Sequence, residues 1–342
     1  MSQTVLFDDI AEKAPRTPSA EGAQADIAYY GAAARSVLNP PESTGMDYWS
    51  INPYVGCAFG CAYCYARYTH RYVAERTPLE GAQSLPAWLA FERQVIVKRN
   101  APQVLRDTLR HGSDRLQGLI KGETLVLGTA TDPYQPAERR FRITRGILEV
   151  LAEHGNMRIV IFTKGPLVTR DIDLLRRIAR NSKIIVQVSL ITADRDLARR
   201  LEPRSPTPEA RLKAAGRLAA AGVDVGINIA PVLPGITDDP ASLDALCSRV
   251  AAVGVRRVFA DSLRLRSDAR KRYLPLIESE FPELGPRYRA TYAKGHSVGD
   301  RYREGMHRVL AKICAKHGIA YPRRRFWNLV DKPAPEQLDF AV

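Results

Sequence analysis

Residues 52–68 read Asn-Pro-Tyr-Val-Gly-Cys57-Ala-Phe-Gly-Cys61-Ala-Tyr-Cys64-Tyr-Ala-Arg-Tyr, which places three cysteines within eight residues in the spacing C-x3-C-x2-C. Thiolates this close, on a loop loosened by Gly56 and Gly60, can converge on one soft metal centre. A structural zinc site is closed by four ligands, whereas three thiolates can hold a [4Fe-4S] cube and leave one iron open for a small ligand. The spacing favours an iron–sulfur site on Cys57, Cys61 and Cys64.

Two other interpretations of the three cysteines stay open. His70 could complete a zinc site with three Cys and one His, although no second C-x2-C or H-x3-H pattern follows nearby. The three thiols could also be inert structural residues. The remaining cysteines, Cys247 and Cys314, stand alone in helix-like contexts, and we interpret them as small core residues.

The overall composition is that of an ordinary globular protein. The chain has 342 residues, of which 26% are charged and 45% are hydrophobic. It contains no apolar run of about 18 residues, so no transmembrane helix is expected. The first residues include acids and no apolar segment, which argues against a secretory signal and predicts a cytoplasmic protein. Five cysteines are too few and too unevenly spread for a disulfide scaffold.

The net charge of +14 is unevenly distributed. Residues 1–50 hold three basic and seven acidic side chains, a net charge of −4, so the rest of the chain carries +18. Between Arg287 and Arg325 there are eleven Lys or Arg and only two acids. Such a region suits a polyanionic partner, because each neutralised phosphate releases condensed counterions. A solvated basic face without a partner is the alternative.

Short apolar runs alternate with amphipathic helical stretches along most of the chain. Alternation of this kind predicts an α/β fold with parallel strands and right-handed crossovers. Six runs are fewer than the strands of a closed eightfold barrel. The predicted strands are 50–55, 124–130, 158–163, 183–190, 224–230 and 256–260, and the predicted helices between them include 139–154, 169–181, 208–221 and 241–253.

The same pattern divides the chain into three parts. Residues 1–45 are interpreted as an irregular N-terminal arm with one short helix around 25–34. Residues 46–262 form the barrel, with an insertion at about 77–122 that includes an extra strand at 94–98. Residues 263–342 form a basic, mainly helical C-terminal extension. Its aromatic residues could stack nucleobases or pack inward as a cap, and they are Tyr288, Tyr292, Tyr302 and Trp327.

The cysteine loop, with Tyr63 before the last cysteine, resembles the signature of the radical S-adenosylmethionine (SAM) superfamily. Further stretches resemble its spore photoproduct lyase-like branch, within it the bacterial proteins described as DNA repair photolyase-like. These stretches are Asn52 to Arg67, Gly128-Thr-Ala-Thr-Asp132-Pro-Tyr-Gln-Pro-Ala-Glu138, Thr163-Lys-Gly165 and Ala230-Pro-Val-Leu-Pro-Gly-Ile-Thr-Asp238. The resemblance covers about residues 46–325.

The resemblance implies a partial (β/α)6 TIM-type barrel, which agrees with the six predicted strands. It places the cluster loop after the first strand and the active groups at the C-terminal strand ends. It also implies two cofactors, a [4Fe-4S] cluster and SAM, whose reductive cleavage yields a radical that abstracts hydrogen from a substrate. A flavodoxin- or ferredoxin-type reductant would supply the electron, since the sequence has no flavin motif or second cluster.

The resemblance implies SAM contacts from residues in the cysteine loop and at the strand ends. Tyr63 would meet the adenine, and a polar group after the second strand would meet the methionine ammonium. Lys164 would hold the carboxylate or ribose. An Asp-Pro turn is the alternative role of Asp132. The expected contacts are Tyr63, Thr131, Asp132, Lys164, Gln187, Ser189, Asn228 and Pro231.

The end of the predicted second strand differs from that of the spore photoproduct lyase-like branch. Spore photoproduct lyases carry a cysteine at the end of the second strand that returns a hydrogen atom to the product radical. The corresponding stretch 128–132 has no cysteine, which argues against that step here. Tyr65 or Tyr134 could relay a hydrogen atom instead.

The leading hypothesis is a radical SAM enzyme, taken to be a monomer, that acts on a nucleic acid or nucleotide. The first alternative is a radical SAM enzyme for a peptide or small metabolite, with the basic charge incidental. The second is a zinc or iron–sulfur module that binds nucleic acid without catalysis.

Overall fold

The computed structural model describes residues 7–14, 26–74, 79, 83–112 and 116–322. Its strands form two sheets, one of four strands and one of seven. The strands are β1 Phe7–Ala14, β2 Ala28–Ala34, β3 Leu38–Asn39, β4 Trp49–Ile51, β5 Tyr54–Val55, β6 Gln94–Lys98, β7 Thr124–Leu127, β8 Arg158–Thr163, β9 Lys183–Ser189, β10 Val225–Val232 and β11 Val258–Ser262.

The seven-stranded sheet has the order β11-β10-β9-β8-β7-β4-β3. From β4 to β11 all neighbours are parallel, and only β3 runs antiparallel to its neighbour. Helices connect successive parallel strands, so the α/β fold is the predicted partial (β/α)6 TIM-type barrel. Among the described residues, β3 and β11 are its two edges.

The helices lie between the parallel strands and beyond them at the C-terminal end. They are α1 Pro41–Thr44, α2 Thr69–Ala74, α3 Ala87–Arg93, α4 Ala101–Arg110, α5 Gln117–Ile120, α6 Ala137–Phe141, α7 Ile143–Leu151, α8 Ile172–Ile178, α9 Arg195–Leu201, α10 Pro208–Ala220, α11 Pro240–Ala252, α12 Ser267–Glu280, α13 Gly285–Tyr292 and α14 Asp300–Lys316. Short 3-10 helices cover Tyr65–Tyr68, Pro166–Asp171 and Pro282–Leu284.

Side chains alternate between the two faces of the barrel sheet. On β9, Val186 and Val188 belong to the main core, whereas Ile185 packs with Val126 and Val160 in a separate cluster. Strand side chains alternate with period two, so Gln187 shares the face of Ile185. The polar side chains on this face, at the ends of neighbouring strands, therefore point into the interior of the barrel.

The second sheet corrects the prediction for the N-terminal segment. Its order is β1-β2-β6-β5, so neither an irregular arm nor a helix around 25–34 describes Ala28–Ala34. Alanine favours helices, but Tyr29 and Tyr30 pack on opposite faces of the strand, and its pairing with β6 outweighs local propensity. The extra strand predicted at 94–98 is confirmed as β6. The three-part division of the chain stays a prediction.

The strand predicted at 50–55 is divided between the two sheets. Trp49–Ile51 pairs with β7, whereas Tyr54–Val55 pairs with β6 of the insertion. The change falls at Asn52 and Pro53, and proline has no N–H to continue a ladder. The insertion therefore holds the backbone that leads into the cysteine loop.

The C-terminal helices form a cap over the cysteine loop. α12 packs against α3 and against the 3-10 helix Tyr65–Tyr68. Tyr288 and Tyr292 are buried and pack with Tyr273, so the interpretation of these two as nucleobase platforms is wrong because their rings face inward. The partly buried Tyr302 donates to Asp238 at 2.8 Å, and Trp327 lies outside the described residues.

The two isolated cysteines are core residues, as predicted. Cys247 on α11 and Cys314 on α14 are fully buried, with their sulfur atoms 3.9 Å apart. In the described part of the chain, no helix is both long and apolar enough to cross a membrane.

Candidate functional site

The cysteine loop lies between β5 and the 3-10 helix Tyr65–Tyr68. Cys57 and Cys61 are buried, Cys64 is partly buried, and all three are free thiols. Burial raises the pKa of each thiol, and it raises that of Cys64 to about 11. A metal that replaces the proton would relieve this cost, since metal binding and thiol deprotonation are coupled.

Backbone groups of the loop are fixed by contacts from distant parts of the chain. The Cys57 N–H donates to Phe91 O on α3 at 2.8 Å. Arg67 is fully buried and donates to Cys61 O at 2.8 Å. Arg204 donates to Ala58 O at 2.7 Å. These two arginines donate hydrogen bonds to loop carbonyl groups that the tight turn of the backbone keeps from pairing with N–H groups of the loop.

Thr131 is one of the expected SAM contacts, and its hydroxyl holds the loop instead. It donates to Gly56 O at 2.6 Å and accepts from Gln135 Nε2 at 2.9 Å. Gln135 also accepts from the Ala58 N–H at 2.9 Å. The Thr131 hydroxyl is thus engaged on both sides, which suits a positioning residue better than a ligand contact.

The Asp132 carboxylate accepts three hydrogen bonds from the chain. The donors are Tyr134 N at 2.8 Å, Thr163 Oγ1 at 2.7 Å and Lys164 N at 2.7 Å. The bond to Tyr134 N is the Asx turn that was the alternative interpretation. Burial raises the Asp132 pKa, although these hydrogen bonds oppose the shift. Asp132 holds the segment after β7 against the end of β8, which suits a structural role better than a SAM contact.

Gly56 is a position of the loop that only glycine fits well. Its φ is +84°, and an added Cβ would lie 2.7 Å from Phe91 O. We expect Gly56→Ala to lower the free energy of unfolding by about 2–3 kcal/mol in urea denaturation. Gly222→Ala is the matched control, since its φ is +74° and nothing lies within 4 Å of its added Cβ. It should cost only the backbone strain of about 1 kcal/mol, and equal losses would contradict the proposed clash.

A buried ionic cluster lies next to the loop. The Glu202 carboxylate accepts hydrogen bonds from the Tyr63 hydroxyl and from the Arg211 guanidinium. Lys164 Nζ lies 3.7 Å from Glu202 Oε1 and 5.6 Å from the centre of the Tyr63 ring. The cluster therefore connects the loop residue Tyr63 with the C-terminal end of β8.

The charges of this cluster keep one another ionised. Burial alone would raise the Glu202 pKa, but Arg211 and Lys164 lower it below the usual value. Burial alone would lower the Lys164 pKa, but Cys61 and Glu202 raise it above the usual value. The cluster therefore holds a fixed positive charge near the cysteines. No sequence motif marked Glu202 or Arg211, which lie between β9 and β10.

The end of β9 and the middle of β10 carry buried amide groups that lack partners in the part of the chain that the structure describes. Among the described residues, neither side-chain amide atom of the fully buried Gln187 has a hydrogen-bond partner, and Asn228 Oδ1 also has none. Asn228 Nδ2 reaches Ser189 Oγ at 3.4 Å. Buried amides without partners cost free energy, so a polar ligand is the expected partner. Pro231 follows on β10 after a cis peptide bond.

Strand register brings these expected site residues together. Asn228 is paired with Ser189, and Gln187 is paired with Phe162, two residues before Lys164. Lys164 follows the end of β8, Gln187 and Ser189 lie at the C-terminal end of β9, and Asn228 lies level with Ser189 in the middle of β10.

The two tyrosines expected as relays differ in their surroundings. Tyr65 is 40% exposed and its hydroxyl donates to Thr129 O. Tyr134 belongs to the main core and not to the apolar cluster that contains Cys57 and Cys61. Of the two, only Tyr65 is exposed and follows directly after a cysteine of the loop, Cys64.

The alternative zinc ligand His70 lies on α2. It is buried with Nδ1 unpartnered within the described residues, and burial lowers its pKa to about 4. In the described part of the chain, no three His, Cys, Asp or Glu side chains are gathered as ligands of a single metal ion. A cube-shaped cluster requires less convergence than one ion, because each thiolate binds a different iron. Three free thiols on one loop supply suitable donors for it.

A partial parallel barrel, a three-thiol loop after its first strand and unpaired polar groups at its strand ends define a class of cofactor-dependent barrel enzymes. The family model of the radical SAM superfamily matches residues 51–246. The chain belongs to the radical SAM superfamily and is an enzyme of that type. Membership implies an iron–sulfur cluster and SAM as cofactors.

Two uncharacterized proteins are similar to this chain in sequence. An uncharacterized protein of Mycobacterium tuberculosis strain H37Rv is 35% identical over 329 residues, covering 96% of this chain and 88% of the relative. An uncharacterized protein of Methanocaldococcus jannaschii is 30% identical over 205 residues, covering 60% of this chain and 68% of the relative.

Among solved structures, spore photoproduct lyase in complex with dinucleoside spore photoproduct is similar in fold. Its TM-score is 0.59 at 14% identity, and the match covers 86% of this chain and 81% of that chain. A variant of the same lyase with bound AdoMet and dinucleoside spore photoproduct has a TM-score of 0.58 at 17% identity, covering 80% of this chain and 75% of that chain.

Proposed function

We propose that this enzyme holds a [4Fe-4S] cluster on Cys57, Cys61 and Cys64, cleaves SAM reductively, and abstracts hydrogen from a nucleic acid or nucleotide. The observation that carries the proposal is the set of unpaired buried amides on Gln187 and Asn228, on the adjacent strands β9 and β10. When bound, the cluster supplies one electron to SAM, which supplies the carbon radical that takes the hydrogen atom.

The residues of the chain would divide the work of holding these cofactors. The three thiolates would hold the cluster, and Thr131 would keep the loop in place through its bond to Gly56 O. Lys164 would place its ammonium group toward the SAM carboxylate, because Glu202 and Tyr63 fix its position. Buried apolar side chains around the loop would exclude water from the reacting atoms.

Other residues would recognise the polar parts of SAM. Gln187 and Asn228 offer unpaired amide atoms to the ribose and the amino-acid groups, with Ser189 between them. Tyr63 and Pro231 remain the proposed adenine contacts. Tyr65 stays the proposed hydrogen-atom relay, since its hydroxyl lies at Thr129 O, just after β7.

The net charge supports a nucleic acid as substrate. Residues 51–342 carry +18, and polyanion binding gains from counterion release. The spore photoproduct lyases that resemble the fold are described in complex with a dinucleoside photoproduct. A base within a duplex would have to be extruded to reach the strand ends, because the interior of the barrel is buried.

Gln187→Leu tests the role of the unpaired amide. The substitution should reduce SAM affinity by about 10- to 100-fold, because leucine cannot make the hydrogen bonds that the Gln187 amide is proposed to make to SAM. Stability without SAM should be unchanged or higher, since a buried group without partners is replaced by an apolar one. Calorimetric titration and urea unfolding measure the two effects. Unchanged SAM affinity would remove Gln187 from the site.

The whole proposal is tested on protein reconstituted with iron and sulfide under anaerobic conditions. With dithionite and SAM we expect 5′-deoxyadenosine, and its absence from a SAM-binding sample would overturn the radical chemistry.

Binding to single- and double-stranded DNA and RNA is measured over a range of salt concentrations. Affinity that falls steeply with salt supports a nucleic-acid substrate. Weak binding that is independent of salt would favour a peptide or small metabolite.

A further inference from the structure

A groove of about 260 Å³ lies between α3 and α12, next to the cysteine loop and apart from the strand-end residues. The wall on α3 includes two apolar side chains, and the remaining wall is mostly charged. The lining side chains are Trp88, Leu89, Glu92 and Arg93 on α3, and Lys271, Arg272 and Pro275 on α12.

The accessible charge of this groove is positive. Its one lining carboxylate, Glu92, has a side chain only 5% exposed and is approached by three guanidiniums, from Arg67, Arg204 and Arg272. Lys271 and Arg93 have side chains 59% and 38% exposed.

The carboxylates that pair with these basic side chains in the described part of the chain leave this excess uncancelled. Arg93 pairs with Asp26, and Lys271 shares the buried Asp268 with Arg71. Across these ion pairs, six basic side chains meet three carboxylates. Burial lowers the Arg272 pKa, and Glu92 opposes this shift while the neighbouring arginines add to it.

Only one layer of side chains separates the groove from the cysteine loop. Arg67 bonds both Glu92 and Cys61 O, the latter at 2.8 Å. Arg204 bonds Ala58 O at 2.7 Å and Glu92 O at 3.1 Å. A partner in the groove would therefore approach the cluster closely without entering the barrel.

We propose that the groove between α3 and α12 is the docking site of a small acidic electron-transfer protein of the flavodoxin or ferredoxin class. This inference rests on the proposed function, because the donor serves the cluster on the three cysteines. The donor loses one electron and the cluster gains one, and no bond forms or breaks in this step. Opposite charges would orient the donor and raise its association rate.

A nucleic acid suits this groove less well. A substrate must reach the SAM contacts at the ends of β8, β9 and β10, whereas the groove is lined by α3 and α12. The groove is separated from the cysteine loop by one layer of side chains. This location favours a partner that exchanges only an electron with the cluster.

The experiment compares two electron sources on the reconstituted full-length enzyme. Reduced flavodoxin must dock, whereas dithionite is a small reductant that needs no docking site. The charge reversals are Lys271→Glu and Arg93→Glu, alone and combined. Arg308→Glu on α14 is the matched control, since its side chain is 61% exposed and paired only loosely with Glu304, at 3.9 Å.

We expect the combined variant to raise the KM for flavodoxin by about tenfold or more at low salt. Its dithionite-driven formation of 5′-deoxyadenosine and the rates of Arg308→Glu should equal those of the wild type. An unchanged flavodoxin KM would overturn the docking site. Equal loss with both electron sources would also overturn it, as would a loss confined to nucleic-acid binding. A wild type inactive with dithionite would instead refute the proposed function, so the two failures are distinguishable.

Discussion

Replacing Cys57, Cys61 or Cys64 with alanine should abolish both the brown chromophore of the reconstituted protein and its cleavage of SAM. In the proposed cluster each thiolate would bind a different iron of the cube, and the structure offers no fourth thiol on the described loop that could substitute. Iron and sulfide analysis, visible absorption and 5′-deoxyadenosine formation measure the loss. The effect should be complete in each single variant.

The isolated cysteines provide matched controls for this experiment. Cys247→Ala and Cys314→Ala also remove one buried thiol each, but from the helix contact between α11 and α14. Both should keep the chromophore and the SAM cleavage of the wild type. Retention of about four iron and four sulfide in Cys57→Ala, Cys61→Ala or Cys64→Ala would refute a cluster held by three thiolates.

The barrel could be predicted from the sequence because its parallel strands are buried on both faces. Such strands appear as continuous apolar runs, and the run 158–163 coincides with β8. The N-terminal segment could not be predicted in this way. Ala28–Ala34 is rich in alanine, and its strand conformation depends on pairing with β6, which lies more than 60 residues further along the chain.

The candidate site was predictable to the extent that its residues follow local patterns. The cysteine spacing and the polar strand ends at Lys164, Gln187 and Asn228 are visible in short stretches. Contacts between distant stretches are not. Tyr63 meets Glu202 across 139 positions, and Ala58 meets Arg204 across 146 positions. Neither Glu202 nor Arg204 has a local signal, because each acquires its role only when the β9–β10 connection folds against the loop.

The Glu202 ion cluster should be a major determinant of stability. In Glu202→Gln the fully buried Arg211 would lose its carboxylate, and Lys164 would lose the carboxylate that lies 3.7 Å from its Nζ. An uncompensated buried charge costs about 3–5 kcal/mol, so the free energy of unfolding should fall by that amount in urea denaturation. The iron content after reconstitution should fall as well, since Tyr63 in the cysteine loop donates to the same carboxylate.

Two further variants separate the buried charge from a general effect of removing a carboxylate. Glu209→Gln removes a carboxylate that is 43% exposed and paired with Arg195 and Arg249, and it should cost less than about 1 kcal/mol. The double variant Glu202→Leu with Arg211→Met removes both charges and should recover part of the loss, because apolar side chains can replace a buried pair. If Glu202→Gln cost no more than Glu209→Gln, the carboxylate would not be what holds Arg211 and Lys164 beside the cysteine loop.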